Sequence, residues 1–241
     1  MKRMYRYAVA AGILVTWGLS TMAAAAPLVI TTEEYPPFNM TKGGEIAGLA
    51  TEIVKKAMEQ AKIDFNIALY PWQRAYDMAL KEPNTCVYST TLTDQRQPLF
   101  KWVGPVVKND WMIFAKSDST AKPNSLDDLK SATIGGYQGD ALTLYLKEKG
   151  MKVDEANTDQ VNPKKLQAGH IEYWASGRLL GPYIASQQGV TGIKPVLLVK
   201  ETKMYLACNK GVADETIDKL NTAIKAMSDD GTIDKLNKAY Q

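Results

Sequence analysis

Short apolar runs alternate with amphipathic stretches along most of the chain. Residues 28–32 and 65–70 predict buried β-strands, because they are rich in β-branched and aromatic residues and end at turn residues. Between them, Ile53 and Ala57 lie one helical turn apart and predict a helix that begins near Leu49. This alternation is typical of βαβ units and therefore indicates an α/β fold with largely parallel sheets.

The same alternation restarts after residue 105. Strands are predicted at residues 111–115, 132–135 and 204–208, with helical patterns between and after them. The pattern therefore predicts two α/β units of similar size. The other predicted elements are a helix around Arg74 and Ala79, strands at residues 86–89 and 171–174, helices at 142–149 and 163–168, an edge strand near Val153, and two closing helices bearing Ile217, Leu220, Ile224 and Met227, then Ile233, Leu236 and Tyr240.

The first 25 residues have the layout of a secretory signal peptide. Three basic residues precede a 12-residue apolar run at positions 8–19, and small residues stand at Ala23 and Ala25. The run is shorter than the roughly 20 residues that a membrane-spanning helix needs. We therefore predict cleavage after Ala25 and export to the periplasm, and we leave residues 1–25 out of the fold.

Composition and charge narrow the classes of function. The chain of 241 residues is 45% apolar and 23% charged, which is typical of a globular protein. Without the leader it has 26 basic and 26 acidic residues, so no excess of positive charge favours nucleic acid as a partner. One histidine and two cysteines are too few for a Cys/His zinc site, and we expect neither a metal nor a cofactor.

Three motifs carry a resemblance to a known family. They are Tyr-Pro-Pro-Phe at residues 35–38, Ser-Thr-Thr-Leu-Thr-Asp-Gln-Arg at 89–96, and Asp-Gly-Thr-Ile-Asp-Lys-Leu at 230–236. With these motifs the chain resembles the polar amino-acid family of bacterial periplasmic solute-binding proteins. The resemblance implies an α/β, type II periplasmic binding protein fold with two lobes, a mostly parallel sheet flanked by helices in each lobe, and a two-strand hinge.

The resemblance also implies how the chain is divided and what it does. Residues 26–108 and 201–241 are expected to form the first lobe, and residues 109–200 the second. We expect a monomer without catalytic activity that traps a small polar solute, bearing a carboxylate or an amine, by lobe closure and delivers it to a membrane ABC permease. Two other functions stay open: an enzyme similar to periplasmic cyclohexadienyl dehydratases, or a ligand-sensing module for a membrane receptor.

The candidate ligand residues of the first lobe follow from this resemblance. The family carries small or hydroxyl residues seven and five positions before an arginine, and Ser89, Thr91 and Arg96 match. A guanidinium is a planar, permanently charged fork for a ligand carboxylate, and the hydroxyls can accept from an amine. Tyr35 and Trp72 stand where the family often places aromatic walls. The alternatives are a surface ion pair for Arg96 and core packing for the aromatic residues.

In the second lobe, Tyr137 and Asp140 belong to a turn that leads into a predicted helix. Backbone N–H groups at such a helix start can hold an anionic ligand group, which is what the resemblance implies here. The family usually has a small hydroxyl residue at the position of Asp140, and a carboxylate there would attract a cation instead. The alternative for Asp140 is a plain helix N-cap.

A second departure from the family concerns the partner of a ligand ammonium. Many family members that bind α-amino acids have an acidic residue at the position that Gly177 occupies in this chain. We therefore expect a more aromatic cleft, with Trp174 beside this position. The acids that could replace the missing one are Asp140, Glu33 and Glu34.

The resemblance further places the strand that contains Cys208 antiparallel to, and beside, the strand that contains Cys86. Directly opposed residues of such strands are close enough for a disulfide, and export supplies an oxidising compartment. We therefore predict a Cys86–Cys208 bond within the first lobe. The alternative is two buried free thiols, because a slip of one residue turns a side chain to the other face of the sheet.

Overall fold

The computed structural model describes residues 26–240, so the predicted signal peptide and its cleavage site lie outside the described residues. This part of the chain contains twelve β-strands and seven α-helices. In chain order they are β1 (Leu28–Thr32), β2 (Met40–Lys42), β3 (Glu45–Ala47), α1 (Leu49–Ala61), β4 (Phe65–Leu69), α2 (Trp72–Lys81), β5 (Thr85–Thr91), β6 (Lys101–Lys108), β7 (Trp111–Lys116), β8 (Thr133–Tyr137), α3 (Ala141–Glu148), β9 (Lys152–Ala156), α4 (Asn162–Ala168), β10 (Tyr173–Gly177), α5 (Leu180–Gln187), β11 (Ile193–Lys200), β12 (Lys203–Cys208), α6 (Asp214–Asp229) and α7 (Thr232–Ala239).

Two five-stranded sheets form the two lobes. The first has the strand order β4-β1-β5-β12-β6 and the second β11-β7-β10-β8-β9. Each sheet has two parallel and two antiparallel pairs, so the sheets are mixed and not mostly parallel as predicted. The reason is that the strand leaving each lobe lies beside the strand entering it, and these two strands run in opposite directions. The predicted two-lobed α/β architecture is confirmed.

The chain crosses between the sheets twice, which is the two-strand hinge implied by the resemblance. It leaves the first sheet between residues 108 and 111 and returns between residues 200 and 203. The two crossings are bonded to each other, because the Asn109 N–H donates to the carbonyl oxygen of Thr202 at 2.9 Å. The connections are therefore short and paired.

Helices cover the sheets with the apolar faces that the sequence pattern predicted. Ile53 and Ala57 of α1 and Ile224 of α6 are buried, and these two helices pack together against the first sheet. Leu142 of α3 and Ile134 of β8 belong to a separate core in the second lobe. Each fully buried Leu or Ile side chain contributes roughly 1.5 to 3 kcal/mol. Among residues 26–240, no helix has the length and apolar character needed to cross a bilayer.

Five elements were not predicted, namely β2, β3, β6, β11 and α5, and proline explains the last three. Strand β6 contains Pro105, and β11 contains Pro195, but both are edge strands, where a missing N–H donor is tolerated. Helix α5 carries Pro182 in its first turn, where a proline removes no helical hydrogen bond. Strand β10 begins two residues later than predicted, at Tyr173.

The predicted disulfide is present. Cys208 of β12 is directly opposed to Cys86 of β5 in the antiparallel pair, and their sulfur atoms are bonded. Both residues are fully buried. The bond ties the returning C-terminal segment to the N-terminal part of the first lobe.

Candidate functional site

A cavity of about 460 Å³ lies between the two lobes. It opens at the carboxyl ends of β1, β4, β8 and β9, which is the edge where α/β sheets usually bind ligands. Three of the eight predicted ligand residues line it, namely Tyr35, Trp72 and Tyr137. The other lining residues used below are Glu33, Glu34 and Tyr70 from the first lobe and Asp159, Leu180 and Ile184 from the second.

Tyr35 follows β1 and forms a fixed wall of the cavity. Its hydroxyl accepts a hydrogen bond from Asn109 Nδ2 at 2.9 Å, and its ring stacks on Phe38 with 5.9 Å between centroids. Only 7% of Tyr35 is exposed. Since Asn109 lies in the first crossing between the sheets, this bond connects the wall to the segment that joins the two lobes.

Trp72 and Arg96 of the first lobe both donate hydrogen bonds to one carbonyl group of the second lobe. Trp72 Nε1 and Arg96 Nη2 each donate to the oxygen of Gly139, both at 2.9 Å. The Gly139 backbone has φ +74°, and a Cβ atom there would lie 2.7 Å from Gln73 Oε1, so glycine permits both the turn and the close approach. The two lobes are therefore closed on each other at this point.

The guanidinium of Arg96 is buried against two aromatic rings that also contact each other. It lies 5.3 Å from the Trp72 centroid and 5.2 Å from the Tyr76 centroid, and Nη1 donates to the Thr91 carbonyl oxygen at 3.3 Å. Arg96 is 5% exposed and makes no ion pair with a carboxylate of residues 26–240. It is not a surface ion pair, the alternative considered from the sequence.

Ser89 and Thr91 lie at the end of β5, behind the cavity. The β5–β12 register shifts opposite Ser89, whose backbone has φ +58°, and such bulges re-aim side chains near functional sites. The Ser89 hydroxyl donates to Asn39 Oδ1, and Asn39 Nδ2 donates to the Glu33 carbonyl oxygen at 2.6 Å. Ser89 thus supports the backbone of Glu33, whereas Thr91 contacts Arg96 through its main chain.

Glu33 and Tyr137 face each other across the cleft. The Tyr137 hydroxyl donates to Glu33 Oε1 at 3.1 Å. Burial raises the pKa of Glu33 well above its usual value, the nearby charge of Asp140 raises it further, and the bond from Tyr137 opposes the shift. Glu33 was among the acids expected from the sequence to replace the one missing at position 177.

Asp140 is the N-cap of helix α3, which is the alternative considered from the sequence. Its Oδ2 accepts a hydrogen bond from the Thr143 N–H at 3.0 Å. Burial raises the pKa of Asp140, although this bond and the nearby Arg96 charge oppose the rise. Asp140 therefore adds negative charge close to Glu33 and Arg96 while its carboxylate also holds the helix start.

Asp159 was not found from the sequence, and it lines the cavity from the second lobe. Its Oδ1 accepts from Trp174 Nε1 at 2.7 Å and from Asn162 Nδ2 at 2.8 Å, and its Oδ2 accepts from the Ser176 hydroxyl at 2.7 Å. Burial raises the pKa of Asp159 to about 6, against the effect of these three bonds. No local motif marks Asp159, because its partners come from α4 and β10.

Trp174 is fully buried and does not line the cavity. Its ring packs against Phe114 with 5.5 Å between centroids, and its indole N–H donates a hydrogen bond to the Asp159 carboxylate. The residue acts on the cleft only through the orientation of that carboxylate.

The space beside Gly177 is filled by other side chains. A Cβ atom on Gly177 would collide with Asn109 Oδ1 and would lie 3.2 Å from the Tyr35 hydroxyl. The acid that the family usually carries here would therefore displace the hinge contact between Asn109 and Tyr35. In residues 26–240, no group of three or more His, Cys, Asp or Glu side chains is arranged to hold a metal ion.

Two mixed α/β lobes, two short crossings and a cavity closed from both sides define a two-lobed solute-binding protein. The family model of bacterial extracellular solute-binding proteins, family 3, matches residues 28–241. The chain belongs to this family.

Relatives and solved structures agree with this assignment. The chain is 27% identical over 228 residues to an arginine-binding extracellular protein, ArtP, of Bacillus subtilis, covering 87% of this chain and 84% of that protein. An ancestral arginine-binding protein bound to arginine shares the fold with a TM-score of 0.77 at 21% identity, covering 89% of this chain and 97% of that one. A histidine kinase sensor domain shares it with a TM-score of 0.82 at 18% identity, covering 89% and 95%.

Proposed function

We propose that this protein captures a small amino-acid-like solute by lobe closure in the periplasm and passes it to a membrane ABC permease, as a monomer and without chemistry. The observation that carries the proposal is the cavity walled by both lobes, with Trp72 bonded to Gly139 and Tyr137 bonded to Glu33 across the cleft. Bonds that form only when lobes meet favour a hinge motion that encloses its ligand. In this proposal the first lobe consists of residues 26–108 and 201–241, and the second lobe of residues 109–200.

The first candidate solute is L-arginine, since two similar proteins are named for arginine binding. In this proposal Tyr35, Trp72 and Tyr137 form the walls, and Arg96 meets a carboxylate of the solute. Two of the five Arg96 N–H groups are accounted for by carbonyl oxygens, so the fork retains donors for an anion. The supporting residues Ser89, Thr91, Asp140 and Trp174 orient these groups.

A dehydratase activity is not part of this proposal. Prephenate, the substrate of cyclohexadienyl dehydratases, carries two carboxylates, whereas Arg96 is the one basic side chain proposed to meet the solute and the cavity lining adds only the acids Glu33, Glu34 and Asp159. Like charges in a poorly hydrated site repel strongly. Turnover of prephenate by the purified protein above the uncatalysed rate would contradict this statement.

The test is a thermal-shift screen of ligand-stripped, refolded protein against amino acids, polyamines, small dicarboxylates and oligopeptides. A solute at about 100 times its Kd adds about 2.7 kcal/mol of stability. We expect at least one small solute to raise the Tm and to reduce the radius of gyration in small-angle X-ray scattering. Absence of any stabilising solute in the whole screen would overturn the proposal.

A further inference from the structure

All the charged side chains that line the cavity between the lobes are acidic. Glu33, Glu34 and Asp159 line it, and no lysine, arginine or histidine does. The rest of its wall is aromatic or aliphatic, including Tyr70 and Ile184. An occupant with an apolar body and a positive group would complement this lining, whereas a solute without a positive group would not.

The carboxylates keep acceptor capacity toward the cavity. Glu33 Oε1 accepts from Tyr137, but the described residues donate no hydrogen bond to Glu33 Oε2. Asp159 accepts three hydrogen bonds, and a carboxylate has about four acceptor positions. All its donors are uncharged side chains, so the negative charge of Asp159 has no ion-pair partner among residues 26–240.

The aromatic wall suits the same kind of occupant. On Tyr70, the Arg74 guanidinium already lies 4.4 Å from the ring centroid. Trp72 and Tyr35 also line the cavity, and aromatic rings attract cations through their quadrupoles. The apolar residues Leu180 and Ile184 of α5 stand on the opposite lobe and can contact an aliphatic or aromatic body.

The filled space beside Gly177 removes the other place for a positive group. Asn109 and the Tyr35 hydroxyl occupy it, and neither carries a charge. The charges of Glu33, Asp140 and Asp159 act on the Tyr35 hydroxyl, but the side chains that fill this space leave no room for a solute ammonium. The Gly177 end of the cleft therefore excludes an ammonium by packing and not by a lack of negative charge.

We propose that the solute is an organic cation whose positive group lies between Glu33 and Asp159 against the aromatic wall, and that an ammonium at the Gly177 end of the cleft is not recognised. The inference rests on the proposed function and names the chemical class of its solute. It makes Glu33 and Asp159 the residues that determine specificity for charge.

The experiment compares cations with neutral molecules of similar shape by isothermal titration calorimetry. The pairs are L-arginine with L-citrulline, L-lysine with L-norleucine, and tyramine with tyrosol. We expect the cation of the pair that binds to have a Kd at least about tenfold lower than its neutral partner. If L-arginine binds, 5-guanidinopentanoate, which lacks the α-ammonium, is expected to bind within about threefold of it.

Two variants test whether Glu33 and Asp159 determine the preference for a cation. Glu33→Gln and Asp159→Asn should each reduce the ratio of neutral to cation Kd by about tenfold, because they remove a charge and keep an acceptor oxygen. A purely structural defect would weaken both members of a pair equally and leave the ratio unchanged. Glu45→Gln, on the exposed β2–β3 hairpin outside the cavity, is the matched control and should leave the ratio as it is.

The outcomes separate this inference from the proposed function. A neutral compound binding as tightly as its cation, a ratio unaffected in both variants, or a screen whose solutes include no cation overturns the inference and leaves solute capture standing. A tenfold loss for 5-guanidinopentanoate overturns the statement on the Gly177 end. If no compound in the screen binds, the proposed function fails as well.

Discussion

Arg96 Nη2 and the carbonyl oxygen of Gly139 lie 2.9 Å apart and join the first lobe to the second by a hydrogen bond. The guanidinium also lies against the rings of Trp72 and Tyr76. Because the acceptor is a neutral carbonyl, this contact leaves the positive charge of Arg96 without an ion-pair partner in the described chain. The Thr91 carbonyl oxygen and the rings of Trp72 and Tyr76, all in the first lobe, orient the side chain independently of the second lobe.

Replacing Arg96 tests its proposed role toward a carboxylate. Hydrogen bonds to charged groups contribute about 1.5 to 3 kcal/mol each, so Arg96→Ala should weaken L-arginine binding by about tenfold to a hundredfold. Agmatine, which lacks the carboxylate, should lose much less. Arg178→Ala, which breaks an exposed pair with Asp110, is the control in calorimetry. Equal losses for both ligands would show that Arg96 closes the cleft but does not bind the carboxylate.

Position 177 offers a test of packing at the hinge. Gly177→Asp should lower stability by about 1 to 3 kcal/mol, because the new Cβ atom collides with Asn109 Oδ1. Asn109→Ala in the same chain should recover most of this loss by making room. Urea unfolding of the two single variants and the double variant measures the coupling. A Gly177→Asp protein as stable as the parent would mean that the hinge adjusts without cost.

The disulfide should make a large contribution to stability. In the chain-entropy model, closing a loop of 122 residues between Cys86 and Cys208 contributes about 5 kcal/mol. The double variant Cys86→Ala with Cys208→Ala should therefore unfold at a much lower urea concentration than the unreduced parent. Reduction of the parent should lower its unfolding midpoint to a similar extent. Thiol titration of the unfolded, unreduced parent should find no free thiol among these two. Two titrating thiols would refute the bond.

Stability of the protein without solute should fall as the pH rises from 5 to 8. Burial raises the pKa of Glu33 and Asp140, and that of Asp159 to about 6, above the unfolded values. An acid whose folded pKa is raised binds its proton more tightly when folded, so its destabilising effect grows as pH passes from the unfolded to the folded pKa.

For Asp159, the expected loss of stability between pH 5 and its folded pKa of about 6 is on the order of 1 kcal/mol. The groups that act on Glu33 are Tyr137, Asp140, Asp159 and Arg96, and Arg96 is the one positive charge among them and favours ionisation of Glu33. Glu33→Gln should therefore flatten the profile, whereas Glu45→Gln should not. Urea unfolding at pH 5, 6.5 and 8 measures the slope. Greater stability at pH 8 than at pH 5 is the result that this account forbids.

The helices and strands that place the site follow from local patterns in the sequence. The spacing of Ile53 and Ala57 marks one face of α1, and the short apolar runs mark β1 and β4. Strands β6 and β11 escaped prediction because Pro105 and Pro195 are tolerated only through their edge positions. Edge position is a property of the sheet and cannot be seen in a local pattern.

The residues of the candidate site also divide into those that local sequence motifs indicate and those that only the structure reveals. Arg96, Tyr35 and Trp72 stand in motifs, so their closeness to the cleft could be expected. The role of Asp159 could not, because its hydrogen-bond donors come from Asn162, Trp174 and Ser176 on two other elements.

The sequence by itself determined the two α/β lobes, the pairing of Cys86 with Cys208 through the family resemblance, and the absence of an acid at position 177. Only the tertiary structure decided that Glu33 and Asp159 line one cavity and that Asn109 fills the space beside Gly177. The physical reason is distance along the chain. Glu33 and Asp159 belong to different lobes, and the charge of the cavity arises only when hinge geometry brings the carboxyl ends of their strands together.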